Sequence, residues 1–290
     1  MIAPRLCVIG VGLIGGSLAR SARARGLVEE IVGCGRDEAS LRTALRLGVV
    51  DRYALLPERA VEGADLVVLA VPVGVMGELY RRIQPHLAPG AVITDVGSVK
   101  GAVIEQVREV VGEVPPRFVP GHPIAGTEKS GVEASFDGLF DGRCTLLTPL
   151  PETDPAALSL VRGLWTGVGA QVVEMDPVHH DEVLAATSHL PHLLAFGLVD
   201  MLARMEEHRE IFRFAAGGFR DFTRIASSDP IMWRDICLAN RQAIIPLLRR
   251  FAVELEEQAR AMEQGHGGAL ETLFTRAKAA RDRYTQDHDS

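Results

Sequence analysis

Arg5-Leu6-Cys7-Val8-Ile9-Gly10-Val11-Gly12-Leu13-Ile14-Gly15 is an apolar run that passes directly into G-x-G-x-x-G and then into a helical pattern. The order strand, glycine turn, helix gives the motif its weight, because a bare G-x-G-x-x-G recurs by chance in glycine-rich chains. Each glycine has a separate task. Gly10 permits the tight turn off the strand, Gly12 lets the backbone approach a pyrophosphate, and Gly15 allows the helix to pack closely on the sheet. The helix starting near Leu13 and Ile14 presents free amide N–H groups, and its dipole favours a phosphate's negative charge. Gly10, Gly12, Leu13, Ile14 and Gly15 are therefore the first candidate dinucleotide contacts.

The second apolar strand ends in Ile31-Val32-Gly33-Cys34-Gly35-Arg36-Asp37. It stands roughly twenty residues beyond the glycines, where NAD-binding chains place a carboxylate on the ribose hydroxyls. Gly35 occupies that position here. Without a carboxylate, a 2′-phosphate meets no repulsion, and the planar fork of Arg36 can pair with it. NADP is the expected cofactor. The alternative is NAD, with Asp37 bending back to the ribose and Arg36 solvated; FAD fits less well because it too normally uses the acid.

Further along, strand-like runs alternate with helical stretches at Leu66 to Val71, Ala91 to Val96, Phe118 to Val119, Thr145 to Thr148 and Gln171 to Glu174. Such alternation predicts a mostly parallel sheet with crossover helices, a Rossmann-type α/β domain. Asp65-Leu66-Val67-Val68-Leu69-Ala70-Val71 is continuously apolar, as a strand covered on both faces must be, and Pro72 marks the exit from the sheet. Ligands of open sheets collect at the strands' carboxyl ends, so Val71 and Pro72, Asp95 to Ser98 and Gly121 to Gly126 should face one crevice.

After Asp176-Pro177 the pattern becomes helical, with His180 to Met205, Glu207 to Phe214, Asp229 to Ala261 and Leu270 to Tyr284 as the predicted segments. The expected division is a dinucleotide-binding domain over residues 1–176 and an all-α domain over 177–290. Leu190 to Leu202 and Ile244 to Leu255 carry more apolar residues than a small domain can cover, which predicts a homodimer through the helical domain. The polar tail beyond Tyr284 should fray.

Composition narrows the partners. Thirty-eight acidic residues against 31 basic ones give a net charge of −7 with no long single-sign run, so a nucleic acid, which would need a basic face, is not expected. The opening apolar run is too short and glycine-broken for a leader, and no uncharged stretch reaches the roughly 20 residues of a membrane span. A cytoplasmic enzyme of small molecules is the expectation. The four cysteines, Cys7, Cys34, Cys144 and Cys237, form no C-x-x-C pair, so neither disulfides nor a metal site is expected.

Gly121-His122-Pro123-Ile124-Ala125-Gly126-Thr127-Glu128 reads as a rigid loop that holds an imidazole at the cofactor edge, with an ordinary pKa near 6.5 and so able to act as a base. Asp95-Val96-Gly97-Ser98-Val99-Lys100 brings the Ser98 hydroxyl to the same crevice, while Lys100 reads as the cap of a surface helix. Ser188-His189-Leu190-Pro191-His192 puts a proline inside an apolar helix, a strain of about 3 kcal/mol unless compensated. The stretch from Gly217 to Trp233 combines paired glycines with Arg220 and Arg224, either able to clamp a carboxylate, and a helix start at Ser228 or Asp229.

Taken together, G-x-G-x-x-G, D-V-G-S-V-K, G-H-P-I-A-G-T-E-K-S-G, S-H-L-P-H and D-F-T-R-I-A-S-S-D-P-x-M-W resemble, in this order, the prephenate and arogenate dehydrogenase family over Gly10 to about Tyr284. The resemblance implies oxidative decarboxylation of a cyclohexadienol in tyrosine biosynthesis. It also implies roles: His122 as base, Ser98 as the hydroxyl that orients the substrate, and Arg224 as the cation on its carboxylate. His189, His192, Thr127, Glu128 and Asp221 would line the pocket, with Trp233 reaching in from the partner subunit. Gly35 departs from the family's NAD-type acid, and no appended regulatory domain is read here. The rival readings are a related dehydrogenase of small hydroxy acids or imines, for which a lysine on the long helix after Pro177 would speak, and a non-catalytic dinucleotide sensor. That helix offers histidines and no lysine.

Overall fold

The computed structural model describes residues 1–288 apart from Glu128 and Glu207. β1 (Ala3–Ile9) leads through the glycine turn into α1 (Leu13–Ala24), followed by β2 (Val28–Cys34), α2 (Glu38–Arg46), β3 (Arg52–Ala54) and α3 (Pro57–Ala60). β4 (Leu66–Leu69), α4 (Met76–Ile83), β5 (Val92–Asp95), α5 (Lys100–Val111) and β6 (Phe118–Val119) complete the first sheet. Its order is β3-β2-β1-β4-β5-β6, and every pair is parallel. This is the doubly wound order, with β1 and β4 at the switch point where dinucleotides bind.

β1 shows why the strands are apolar without interruption. Leu6 and Val8 enter one core with Leu18, Ala19 and Ala22 of α1, whereas Cys7 and Ile9 enter the other with Met76 and Tyr80 of α4 and Val103 of α5. Period-two alternation sends neighbouring residues to opposite faces, and helices cover both. Burial pushes the thiol of Cys34 up to about 11 and that of Cys7 higher still, so both act as inert filling, as read from the sequence.

The sheet itself departs from the expectation of one continuous layer. After β6, Pro120 offers no N–H to a ladder, and the chain starts a second sheet, β7 (Gly121–Pro123), β8 (Cys144–Leu147) and β9 (Gln171–Glu174), with α6 (Pro155–Gly167) between the last two. β7 runs antiparallel to β8, and His122 pairs with Leu146. His122 therefore sits in a strand, where a loop was expected. β3 was also absent from the sequence reading, and β4 stops at Leu69, two residues before Val71.

The helical half comprises α7 (Pro177–Leu184), a π-helical turn (Ala185–His189), α8 (Leu190–Ala203), α9 (His208–Arg213), α10 (Gly217–Thr223), α11 (Pro230–Ala239), α12 (Arg241–Glu263) and α13 (Gly267–His288). Asp229 caps α11 by accepting from Met232 N at 2.7 Å. The glycine pair Gly217-Gly218 opens a helix instead of a loop, and a 3₁₀ turn, Arg224–Ser227, follows it. Asn240 divides the expected Asp229 to Ala261 segment in two. The tail expected to fray continues α13 to His288. Two compact units result, Met1–Arg241 and Gln242–Ser290. The continuous helical run Pro177–Ala203 is long and apolar enough by composition to cross a membrane, although Asp181, Glu182 and Asp200 interrupt it, and 22% of its most apolar window is buried.

Candidate active site

The three glycines of the first turn are required for three different reasons. Gly10 has φ +101°, and a Cβ there would lie 2.1 Å from the Ala70 carbonyl oxygen. A Cβ on Gly15 would meet the Gly10 carbonyl at 2.1 Å and Val8 at 2.9 Å, so the helix can approach the strand only without one. Gly12, the residue before α1, faces open space. A cradle with tight walls and one open face fits a pyrophosphate on the helix amides. Leu13 is buried and Ile14 half-buried at the start of α1, and Val71 is half-buried with Pro72 exposed beyond β4.

At the end of β2, Asp37 is occupied. Its carboxylate caps α2 by accepting from Ala39 N at 3.2 Å and Ser40 N at 3.1 Å, and it also takes the Ser40 hydroxyl at 2.5 Å. Those bonds, the Ser40 hydroxyl first, hold its pKa below the usual carboxylate value. Arg36 is exposed. A Cβ on Gly35 would touch only the Leu41 side chain, at 3.5 Å or more.

His122 is buried between two charged systems. On one side its Nδ1 lies 3.0 Å from Nε2 of His180, whose own Nδ1 lies 2.8 Å from Oδ1 of Asp181. The Asp181 carboxylate is itself held by Lys100 N and Gly101 N, each donating at 2.8 Å, where α5 begins. A carboxylate only accepts, so His180 carries its proton on Nδ1 and offers Nε2 as acceptor. His122 must then donate from Nδ1, which leaves Nε2 of the same ring as a lone-pair base. Burial first, then the Lys100 charge, then His180 and His189, hold the His122 pKa well below 6.5. Burial likewise lowers that of His180, against the raising pull of Asp181. The value near 6.5 expected from the sequence is therefore too high.

The second charged group acting on His122 is Lys100. It is fully buried and paired with the equally buried Asp95. The expected surface cap is thus an interior cation. Ser98, half-buried, occupies the turn between these two charges.

The π turn presents the remaining histidines. Asn240 donates from Nδ2 to the Asp181 carbonyl at 2.8 Å and to His189 Nδ1 at 3.0 Å, which puts the His189 proton on Nε2. His189 is 1% exposed, and burial brings its pKa to about 4. Among the described residues neither its Nε2 nor Trp233 Nε1 has a hydrogen-bond partner. Trp233 lies stacked on His192 of its own chain, ring centroids 3.7 Å apart. His192 in turn contacts the Ser188 carbonyl through Nδ1 at 2.9 Å, and the Arg224 charge, after burial, lowers its pKa. Arg224, Asp221 and Thr127 are exposed, with Thr127 accepting from Lys129 N. Glu128 lies outside the described residues. Sequence reasoning missed His180, Asp181 and Asn240; the run His179-His180-Asp181 just after a capping Asp-Pro was the available signal.

A doubly wound domain with this glycine cradle, joined to a buried, oriented imidazole, defines a dehydrogenase of the nicotinamide dinucleotide class. Residues 18–174 match the model for the prephenate dehydrogenase nucleotide-binding domain and residues 176–276 that for the prephenate dehydrogenase dimerization domain. The chain belongs to the prephenate dehydrogenase family. It is 37% identical over 287 residues to a cyclohexadienyl dehydrogenase of Zymomonas mobilis, covering 98% of this chain and 97% of that one. The crystal structure of Aquifex aeolicus prephenate dehydrogenase with hydroxyphenyl propionate and NAD+ superposes with TM-score 0.89 at 38% identity, covering 96% and 97% of the two chains. A Synechocystis arogenate dehydrogenase structure gives 0.79 at 28% identity, covering 97% and 99%.

Proposed function

We propose that this chain oxidises and decarboxylates a cyclohexadienol, prephenate or L-arogenate, in tyrosine biosynthesis, with His122 as base and NADP as the preferred hydride acceptor. The observation that carries this is the Asp181–His180–His122 series, which prepares a neutral imidazole with its lone pair on Nε2. A nicotinamide dinucleotide held at the Gly10, Gly12 and Gly15 turn would supply the hydride acceptor. His122 Nε2 takes the proton of the ring hydroxyl as the carbon bearing it loses that hydride. The bond to the ring carboxylate then breaks, carbon dioxide leaves, and its electron pair completes an aromatic ring with a phenolate oxygen, to which His122 returns the proton. Ser98 orients the hydroxyl from the turn after β5.

Arg224 holds the substrate carboxylate, and its charge already bears on His192. Since tight pairing with a group that must leave opposes catalysis, that cation works mainly in binding. His189 Nε2 and Trp233 Nε1 are buried donors that a bound substrate would satisfy. Thr127, Glu128, Asp221 and His192 complete the lining in this reading. The functional division is the one at 176/177, with the chemistry drawn from both sides of it, and the setting is the cytoplasm of the cell.

Initial rates with each substrate and each cofactor test the assignment, together with His122→Asn. Turnover should fall roughly 10²- to 10⁴-fold in that variant, with substrate affinity within a few-fold of native. The acid limb of the native pH profile should lie well below 6.5 and vanish in the variant. Absence of turnover on both substrates, or a variant with near-native turnover and the same limb, would overturn the proposal.

A further inference from the structure

Lys100 has no part in the chemistry just described, yet it is the most deeply placed cation of the Rossmann half, 0% exposed. Its ammonium contacts Asp95 Oδ2 and donates to the Gly121 carbonyl at 2.6 Å. Asp95 uses its other oxygen, Oδ1, to accept from Gly121 N at 3.1 Å, and Oδ2 also accepts from Gly97 N at 2.7 Å. Both backbone polar groups of Gly121, the residue before His122, are thus bound by one ion pair. This happens where Pro120 ends the first sheet and no strand ladder joins β5 to β7.

The surroundings are shaped for the pair. A Cβ on Gly97 would lie 2.9 Å from Asp95 Oδ2, and one on Gly121 would lie 3.1 to 3.3 Å from Leu147, the Asp95 carbonyl and Thr94. We propose that the Asp95–Lys100 pair is a positioning device for His122, clamping Gly121 from both sides so that the imidazole is held at the carboxyl edge of the first sheet. This rests on the reading of His122 as the base.

A second effect follows from the same placement. A buried ion is screened little, so a fixed ammonium beside the ring disfavours the imidazolium and a fixed carboxylate favours it. The other titratable groups around His122 are His180 and Asp181 of α7 and His189 of the π turn; neither variant below replaces them, and on His180 too the Lys100 charge lowers the pKa while the Asp95 charge raises it. Removing the cation or the anion should therefore move the acid limb in opposite directions. A merely structural pair has no reason to do so.

The test compares Lys100→Met, Asp95→Asn and the double variant with native enzyme and His122→Asn, in kcat and kcat/KM against pH. We expect Lys100→Met to lose tenfold or more in kcat with KM little changed, and to raise the acid limb. Asp95→Asn, which keeps an acceptor for Gly121 N, should lose less turnover and lower the limb. If Lys100→Met fails to fold because Asp95 is left alone, the double variant, which buries neither charge, should fold and still lose tenfold in kcat. The proposal is overturned if the folded variants keep turnover within twofold of native, or if both single variants move the limb the same way or not at all. Should His122→Asn itself retain the limb, the base assignment fails instead, whatever the Lys100 variants do.

Discussion

At the level of single residues, burial gives the histidines of this site their use and also their vulnerability. A desolvated imidazole resists protonation, which keeps His122 able to accept a proton. The same preference ties the fold to pH. His189 has a folded pKa of about 4 against an ordinary 6.5, so between those values the unfolded chain binds more protons than the native one. Stability from this residue is complete above about 6.5 and is lost as pH falls toward 4, by roughly 3 kcal/mol at 1.36 kcal/mol per unit. His122 and His180 shift the same way. The melting temperature should accordingly drop between pH 7 and 4.5, and His189→Gln, which carries no titrating ring, should drop less steeply over that interval. Equal slopes for the two proteins would show that His189 is not desolvated in the fold.

Among the elements, the junction of β2 and α2 is where the proposed preference for NADP is tested. Asp37 spends its oxygens on the α2 amides and Ser40, and in the proposed reading Gly35 and Arg36 meet the ribose. A side chain at Gly35 meets only ordinary contact with Leu41, so a carboxylate can be placed there without rebuilding the strand. Gly35→Asp with Arg36→Ile should turn a preference for NADP into one for NAD, because the acid repels a 2′-phosphate and the fork is gone. The ratio of kcat/KM for the two cofactors measures this. A native enzyme that already favours NAD tenfold, about 1.4 kcal/mol, would contradict the assignment. The glycine turn and the alternation of strands and helices were legible in sequence because they depend on contacts a few residues apart. Lys100, His180 and Asp181 were not. Whether Lys100 caps a surface helix or enters the core depends on Gly121 meeting it from 21 positions away, and nothing local to D-V-G-S-V-K records that meeting. The proline in Ser188-His189-Leu190-Pro191-His192 did announce a disturbance, but not its form. An extra residue in a π turn absorbs the lost N–H and leaves His189 buried and His192 half-buried beside Trp233.

For the whole molecule, the balance of apolar surface points beyond one chain. α8, Leu-Pro-His-Leu-Leu-Ala-Phe-Gly-Leu-Val-Asp-Met-Leu-Ala, is apolar nearly all round, and of its fourteen residues only Ala195 is buried. Met201 is 51% exposed on it. A helix of that composition belongs in an interior. A second copy supplies one at no cost in new sequence, and residues 176–276 match a model described as a dimerization domain. In the compact unit Gln242–Ser290, Val253, Leu255, Met262 and Phe274 add further exposed apolar area. We therefore expect a homodimer closed by two-fold symmetry, in which each exposed patch meets its own copy. Light scattering at micromolar concentration should return twice the chain mass of 31.3 kDa. Leu198→Glu with Met201→Glu places two like charges on the exposed stripe, each facing its symmetry mate, and should shift the protein to monomer while the far-UV circular dichroism stays native. A native protein that runs as a monodisperse monomer under these conditions would remove the reason for α8 to be apolar, and the exposed helix would then need a different partner.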